Sequence, residues 1–198
     1  QLEINPSNKN QYRFDGQWVD LERKSVKLRV KGIPFPIKKK AYWSKYGATV
    51  VTKKGTFSIR TGANLDLRGV EQWYRMNKAR SFSEFYQALT MTAIPGFNIV
   101  YADADTIFYV SNGKMPLRDP AYNWKSTLPG NTSKTLWTAY HPLKDLPQYV
   151  NPAGGYLFNM NHTPFNATTP ADNLKASQFD PTMGYETFDN NRSARFVE

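Results

Sequence analysis

Apolar residues in this chain recur with period two in its first part, switch once to helical spacing, and then return to period two. That single switch predicts an α+β fold, with strands on both sides of one helical pair. Residues 12–14 and 17–19 flank Asp15-Gly16, a pair suited to the two positive φ values of a type I′ hairpin turn. Residues 25–30 read as a strand stopped by Gly32 and Pro34, and 48–52 with 56–60 read as a hairpin around Lys53-Lys54-Gly55. After Gly69 the period changes, with Val70, Trp73, Tyr74 and Asn77 at helical spacing. Ser81 opens a second helix as the cap of a Ser81–Glu84 capping box, with Phe82, Phe85, Tyr86 and Leu89 on one face. Val70, Trp73, Phe82, Phe85 and Leu89 are expected to be buried against one face of a mainly antiparallel sheet. Residues 97–101 and 106–110 form a third expected hairpin, residues 112–152 a long ordered surface excursion pinned by Trp124, Trp137 and Tyr140, and residues 155–159 a short apolar strand. Residues 162–191 read as loop, and residues 191–198 begin a helix. The expected layout is one piece: a β-rich basic segment (1–66), a helical pair (67–95), and a hairpin with long loops and the start of a helix (96–198).

Composition narrows the chemistry. With 198 residues, of which 40% are hydrophobic and 15% aromatic, a packed core is expected and disorder is excluded. The absence of cysteine removes disulfides, zinc–thiolate sites, iron–sulfur clusters and thiol nucleophiles, and two histidines argue against a multi-histidine metal site. No apolar window is long enough for a membrane span. The net charge of +10 is concentrated: residues 23–60 hold twelve Lys/Arg and no Asp or Glu, leaving 14 basic and 16 acidic groups elsewhere. Arg23, Lys27, Arg29 and Lys31 alternate with Val26, Leu28 and Val30, as on a strand with one solvated face, and Lys38-Lys39-Lys40 reads as a solvated loop. This favours an ordinary basic surface, with lysines that block edge pairing, over a nucleic-acid site.

Few residues carry chemistry. Asp103 and Asp105 sit at an expected hairpin tip, where aspartate is favoured for bonding nearby amides. His141 stands before a proline without a Ser–His–Asp order, and the four Asn-x-Ser/Thr sequons, at Asn131, Asn161, Asn166 and Asn191, compare with about two expected by chance. More unusual is Asn159-Met160-Asn161-His162-Thr163-Pro164, which ends the apolar run 155–158. A strand end is a good platform for a side-chain amide aimed at a developing oxyanion. The competing reading is that both asparagines only satisfy loop backbone, and spacing alone favours it.

Several segments in order resemble one family. Residues 67–82, LRGVEQWYRMNKARSF, look like the middle of the β-chain of penicillin acylases and acyl-homoserine lactone acylases, and so do NIVYAD (98–103) and residues 106–113. Leu128-Pro129-Gly130, Trp137, Leu146-Pro147, Asn151-Pro152, Gly154-Gly155-Tyr156, Asn159-Met160-Asn161, Thr163-Pro164 and Arg192-Ser193-Ala194-Arg195 continue the series. The resemblance covers most of the chain, more loosely before Tyr42. It implies part of the four-layer αββα fold of N-terminal nucleophile hydrolases: antiparallel sheet, helices on one face and long ordered loops. Such enzymes arise from a self-cleaving precursor. The first residue of the β-chain attacks an amide carbonyl, and its own α-amine serves as base. An unperturbed α-amine pKa near 8 leaves a useful neutral fraction at neutral pH.

Gln1 has no hydroxyl or thiol, so the resemblance implies an internal fragment, inactive alone, whose nucleophile and backbone oxyanion donor lie elsewhere. By the same resemblance Asn161 takes the place of the side-chain oxyanion donor. Arg195 takes the place of the arginine that orients it, with Arg192 as the alternative one turn away, and Asp172 lies near a calcium-binding aspartate. No cofactor is implied for catalysis, only a structural calcium in the intact parent. The implied partners are a small-molecule acyl amide, the missing α-chain and the rest of the β-chain, and the implied location is the periplasm. Two alternatives stand beside this: a folded scaffold without chemistry, and a β-rich binding module whose basic face meets a polyanion.

Overall fold

The structure is a computed structural model, and it describes residues 1–62 and 66–197. It divides into two compact units: residues 1–61 with 119–137, and residues 62–118 with 138–198. The long excursion is therefore shared, because its 119–137 part returns to the first unit.

The first unit holds two antiparallel sheets. One is β1 (Ile4–Asn5), β2 (Asn8–Phe14) and β3 (Gln17–Asp20), in that order. Asp15 at φ 46° and Gly16 at φ 81° make the β2–β3 turn, as the Asp-Gly pair predicts. The other runs β4 (Glu22–Leu28), β5 (Ile37–Ser44), β6 (Gly47–Thr52) and β7 (Gly55–Ser58). Leu2, Tyr12, Phe14, Leu21 and Tyr46 form the core, with Leu136 packed against it. Residues 119–137 are stitched on by polar bonds. Gly130 N–H donates to the Gln1 carbonyl (2.7 Å), and Ser133 N–H donates to Asp15 Oδ1 (2.8 Å). Arg60 lies over the Trp137 ring (4.5 Å) and donates to its carbonyl.

Two expectations for this unit are corrected. Lys38-Lys39-Lys40 is not a loop: it lies in β5, paired with Lys27, Val26 and Ser25 of β4. The β4–β5 register puts Lys27 directly opposite Lys38, a like-charge pair that only full solvation makes tolerable. The apolar alternation of β4 also covers nothing, for Val26 and Leu28 are exposed like the rest of the strand.

The second unit is built on the antiparallel sheet β8 (Phe97–Ala102), β9 (Ile107–Asn112) and β10 (Gln148–Val150), ordered β10-β9-β8. Helices α1 (Gly69–Lys78) and α2 (Phe82–Leu89) contribute to the core around Leu89, Phe108, Val110, Leu143 and Leu146. Phe82, Phe85 and Tyr86 pack on it from α2, with Phe82 against Phe108 (5.1 Å) and Phe85 against Tyr101 (4.7 Å). Glu84 N–H donates to Ser81 Oγ, and the Glu84 carboxylate reaches back to the Arg80 amide, one residue earlier than a strict capping box. The β8–β9 turn is held by Asp103, whose Oδ1 accepts from the Asp105 and Thr106 amides while Oδ2 accepts from Tyr101. The carboxylates at this tip thus serve turn structure.

Three further expectations are corrected here. First, the phase of α1 is rotated. Val70 is 83% and Trp73 50% exposed, whereas Gln72 is fully buried. The reason is polar. Gln72 Oε1 accepts from the Ala93 and Ile94 amides (2.6 and 3.1 Å), and its Nε2 donates to Asn112 Oδ1 (3.0 Å). Asn112 in turn donates to the Leu89 carbonyl (3.1 Å). A reading by hydrophobic period gives no weight to a glutamine that satisfies the chain leaving α2. Second, the excursion 112–152 does not stay on the surface, for it contributes Leu143, Leu146 and β10. Third, residues 155–159 form no ladder. They are tied to a neighbouring segment by a bond from Phe158 N–H to the Ala167 carbonyl (2.9 Å). Helix α3 (Asn191–Val197) stands where a terminal helix is expected, and Glu198 lies outside the described residues.

Two outcomes follow in urea unfolding. Gln72→Leu leaves two buried amides without an acceptor and should cost about 2–4 kcal/mol. Val70→Ala should change stability by less than about 0.5 kcal/mol. The reverse order would restore the sequence-predicted phase. The second outcome concerns Asp66, whose nearly buried carboxylate is held well below the usual carboxylate range by the Arg68 guanidinium (2.7 Å) and the Lys114 ammonium (2.6 Å). A depressed folded pKa gives stability that is complete above the unfolded value, near 3.9, and is lost as pH falls below it. Between pH 4 and 2 the wild-type urea midpoint should therefore fall more steeply than that of Asp66→Asn. Parallel curves would contradict this.

Candidate active site

Residues 154–167 form an irregular stretch, so its shape comes from side chains that satisfy its backbone. Tyr149 in β10 donates its hydroxyl to the Pro164 carbonyl (2.8 Å) and accepts from the Leu174 amide (3.0 Å). Asn173 Oδ1 accepts from the Ala167 and Thr168 amides. From β8, Asn98 donates to Asn159 Oδ1 (3.1 Å), so the sheet holds the start of the Asn159-Met160-Asn161 turn.

That turn has unusual geometry. Asn161 sits at φ 54°, in the left-handed region. Asn159 Oδ1 also accepts from the Asn161 amide (2.9 Å), so Asn159 shapes the turn. His162 Nδ1 accepts from the Met160 amide (3.0 Å), which leaves Nε2 to carry the proton donated to the Asn166 carbonyl. The imidazole is a structural group, stacked on Phe158 (5.0 Å). Phe158 is stacked in turn by Phe196 of α3 (4.3 Å).

Helix α3 supplies the cation. Arg192 Nη2 donates to the Met160 carbonyl (2.7 Å) and to Asn161 Oδ1 (3.2 Å). With Oδ1 occupied, the rotamer is fixed and the Asn161 Nδ2 protons are turned away from the guanidinium. The positive charge on Oδ1 polarises the amide and makes Nδ2–H a stronger donor. Asn161 is exposed, and among the described residues its Nδ2 has no acceptor. The result is an oriented, polarised N–H pair on a left-handed backbone, an arrangement able to stabilise negative charge on a carbonyl oxygen.

Of the sequence-predicted site residues, the fold brings together Asn161 and Arg192. Arg195, the first choice for the orienting arginine, lies on α3 without a hydrogen bond or ion pair among the described residues, one turn from the position that reaches Asn161. Asp172 lies apart from this pair. Its Oδ2 accepts from the Thr169 hydroxyl (2.7 Å) and the Gly154 amide (2.7 Å), which hold its carboxyl below the usual range. Calcium takes six to eight oxygen ligands, and among the described residues no group of three or more acidic or histidine side chains gathers to hold a metal ion. These residues do not by themselves fit a calcium shell. Sequence reasoning missed Asn98 and Asn190, which bond the turn from a strand and from the start of α3. An asparagine just ahead of a helical run is a capping signal that points to the latter. Among the described residues no helix is long and apolar enough to cross a membrane.

Comparison with known proteins gives the family and the fold. The penicillin amidase family model matches residues 1–198. The acyl-homoserine lactone acylase PvdQ of Pseudomonas fluorescens (strain Pf0-1) is 30% identical over 114 residues, 52% of this chain and 14% of that protein. The enzyme of the same name from Pseudomonas savastanoi pv. phaseolicola (strain 1448A / Race 6) is 31% identical over 115 residues, 52% of this chain and 15% of that protein. This chain thus spans a small part of the curated relatives it matches. The thermostable penicillin G acylase from Alcaligenes faecalis superposes with a TM-score of 0.74 at 22% identity, over 88% of this chain and 32% of that one, which establishes a shared fold. On the family match along its whole length, the chain belongs to the penicillin amidase family.

Proposed function

We propose that this chain is part of an acylase that releases an acyl group from a small-molecule amide, with Asn161 as the side-chain oxyanion donor and Arg192 as the residue that orients it. One observation carries the reading: a single guanidinium nitrogen is shared between the Met160 carbonyl and Asn161 Oδ1 while Asn161 Nδ2 stays open. Family membership supports the reaction class. The names of the relatives support penicillins or acyl-homoserine lactones as substrates to try first.

In this proposal the attacking group is supplied by the rest of the parent acylase. A nucleophile adding to the amide carbonyl places a full negative charge on oxygen, and that charge is absent in the ground state. A donor aimed at that oxygen lowers the barrier without tightening substrate binding. Arg192 holds the donor in place and does not itself need to touch substrate. The chain alone is therefore expected to turn over no amide. A calcium ion at Asp172 would need oxygens other than gathered acidic side chains, and no step depends on one. A periplasmic location for the parent is part of the same proposal.

In the full-length acylase, Asn161→Ala should lower kcat by roughly 10²–10³, about 2.7–4 kcal/mol, with little change in KM. Arg192→Ala should lower kcat as well, whereas Arg195→Ala should leave it nearly intact. Steady-state kinetics with penicillin G and with a long-chain N-acyl-homoserine lactone measures all three. A full-rate Asn161→Ala enzyme, or a greater loss from Arg195 than from Arg192, would sink the assignment.

A further inference from the structure

A left-handed backbone is taken up by glycine and, less often, by asparagine and aspartate, and the bonds around Asn161 hold it there. The group that does so most directly is the Asn190 carboxamide. Its Oδ1 accepts from the Arg192 and Ser193 amides, both at 3.0 Å, and so caps the first turn of α3. Its Nδ2 donates to the Met160 carbonyl (2.9 Å) and the Asn161 carbonyl (3.1 Å). Two acceptor and two donor positions are all that an asparagine side chain offers, and each is used.

We infer that Asn190 is a positioning residue for the reaction, clamping the peptides on both sides of Asn161 so that the Asn161 side-chain amide stays aimed at the developing oxyanion. The inference rests on the reading of Asn161 as the oxyanion donor. Its support lies in the half of the side chain that capping does not need. Serine and aspartate cap helices about as well as asparagine, and either would serve α3 alone. Only asparagine among these both caps with its oxygen and gives two N–H bonds to facing carbonyls.

The clamp is itself fixed. Ser193 is fully buried, and its Oγ accepts from the Asn190 amide (3.0 Å). The Ser193 hydroxyl lies 2.9 Å from Asp189 Oδ1, and both Asp189 oxygens accept from Asn166 Nδ2 at 3.0 Å. Asn190 therefore cannot turn without breaking bonds on both sides. Arg192 begins two residues later, so one helical turn sets the backbone of Asn161 through Asn190 and its side chain through Arg192.

The test is Asn190→Ser in the full-length acylase, alone and combined with Asn161→Ala. Serine keeps the capping oxygen and removes both clamp bonds. Penicillin G and a long-chain N-acyl-homoserine lactone are the probes, and circular dichroism follows the fold. The single variant should lose about 10- to 100-fold in kcat with KM nearly unchanged and the melting curve preserved. In the Asn161→Ala background the same change should have almost no effect on kcat, because the residue acts only through Asn161. An unchanged kcat in the single variant would overturn the inference. So would an equal loss in both backgrounds, or a loss that tracks the amount of unfolded protein. Full activity of Asn161→Ala by itself would instead remove the oxyanion reading and the basis of this inference with it.

Discussion

One guanidinium nitrogen sets the chemistry of the candidate site. Arg192 Nη2 spends its two protons on the Met160 carbonyl and on Asn161 Oδ1. The first bond fixes the turn, and the second fixes the side chain on it. A lysine could not reproduce this geometry, because a flexible point charge lacks the planar fork that holds two acceptors in set directions. The bonds from Asn98, Asn190 and His162 then have a common effect. They bring the irregular stretch to a single conformation and leave the Asn161 amide protons as its open donor group.

The same use of carboxamides recurs under the site. Gln72 and Asn112, both buried, carry backbone groups of residues 89–94 that no regular element satisfies. Asn173 does the same for residues 167 and 168. The described residues of the second unit include one three-stranded sheet and three short α-helices, so much of the chain there is irregular, and every irregular buried amide needs a partner. Asparagine and glutamine meet that need, because each can accept and donate at once without bringing charge into the interior.

This explains what the sequence made legible and what it hid. The β2–β3 turn, the α2 cap and the β8–β9 hairpin were readable because each depends on residues close in sequence. The α1 phase was not, since Gln72 faces inward for the sake of amides 21 and 22 residues away. Lys38 to Lys40 look like loop in isolation and become strand only through pairing with β4. At the candidate site, the Asn159-Met160-Asn161 turn was legible because the bond between its two asparagines is local. The choice between Arg192 and Arg195 was not, for both lie on one short helix, and only the docking of α3 brings one of them to Asn161. Asn190 carried a capping signal, but its second pair of bonds reaches 29 and 30 residues back and leaves no local trace.

The most direct measurement is a crystal structure of the full-length acylase with a boronic acid bound as a tetrahedral transition-state analogue. The boronate oxygen in the oxyanion position should lie about 2.7–3.1 Å from Asn161 Nδ2. Asn161 should remain at positive φ, with Oδ1 still on Arg192. A boronate oxygen held only by other donors, with the Asn161 amide turned away from it, would contradict the assignment.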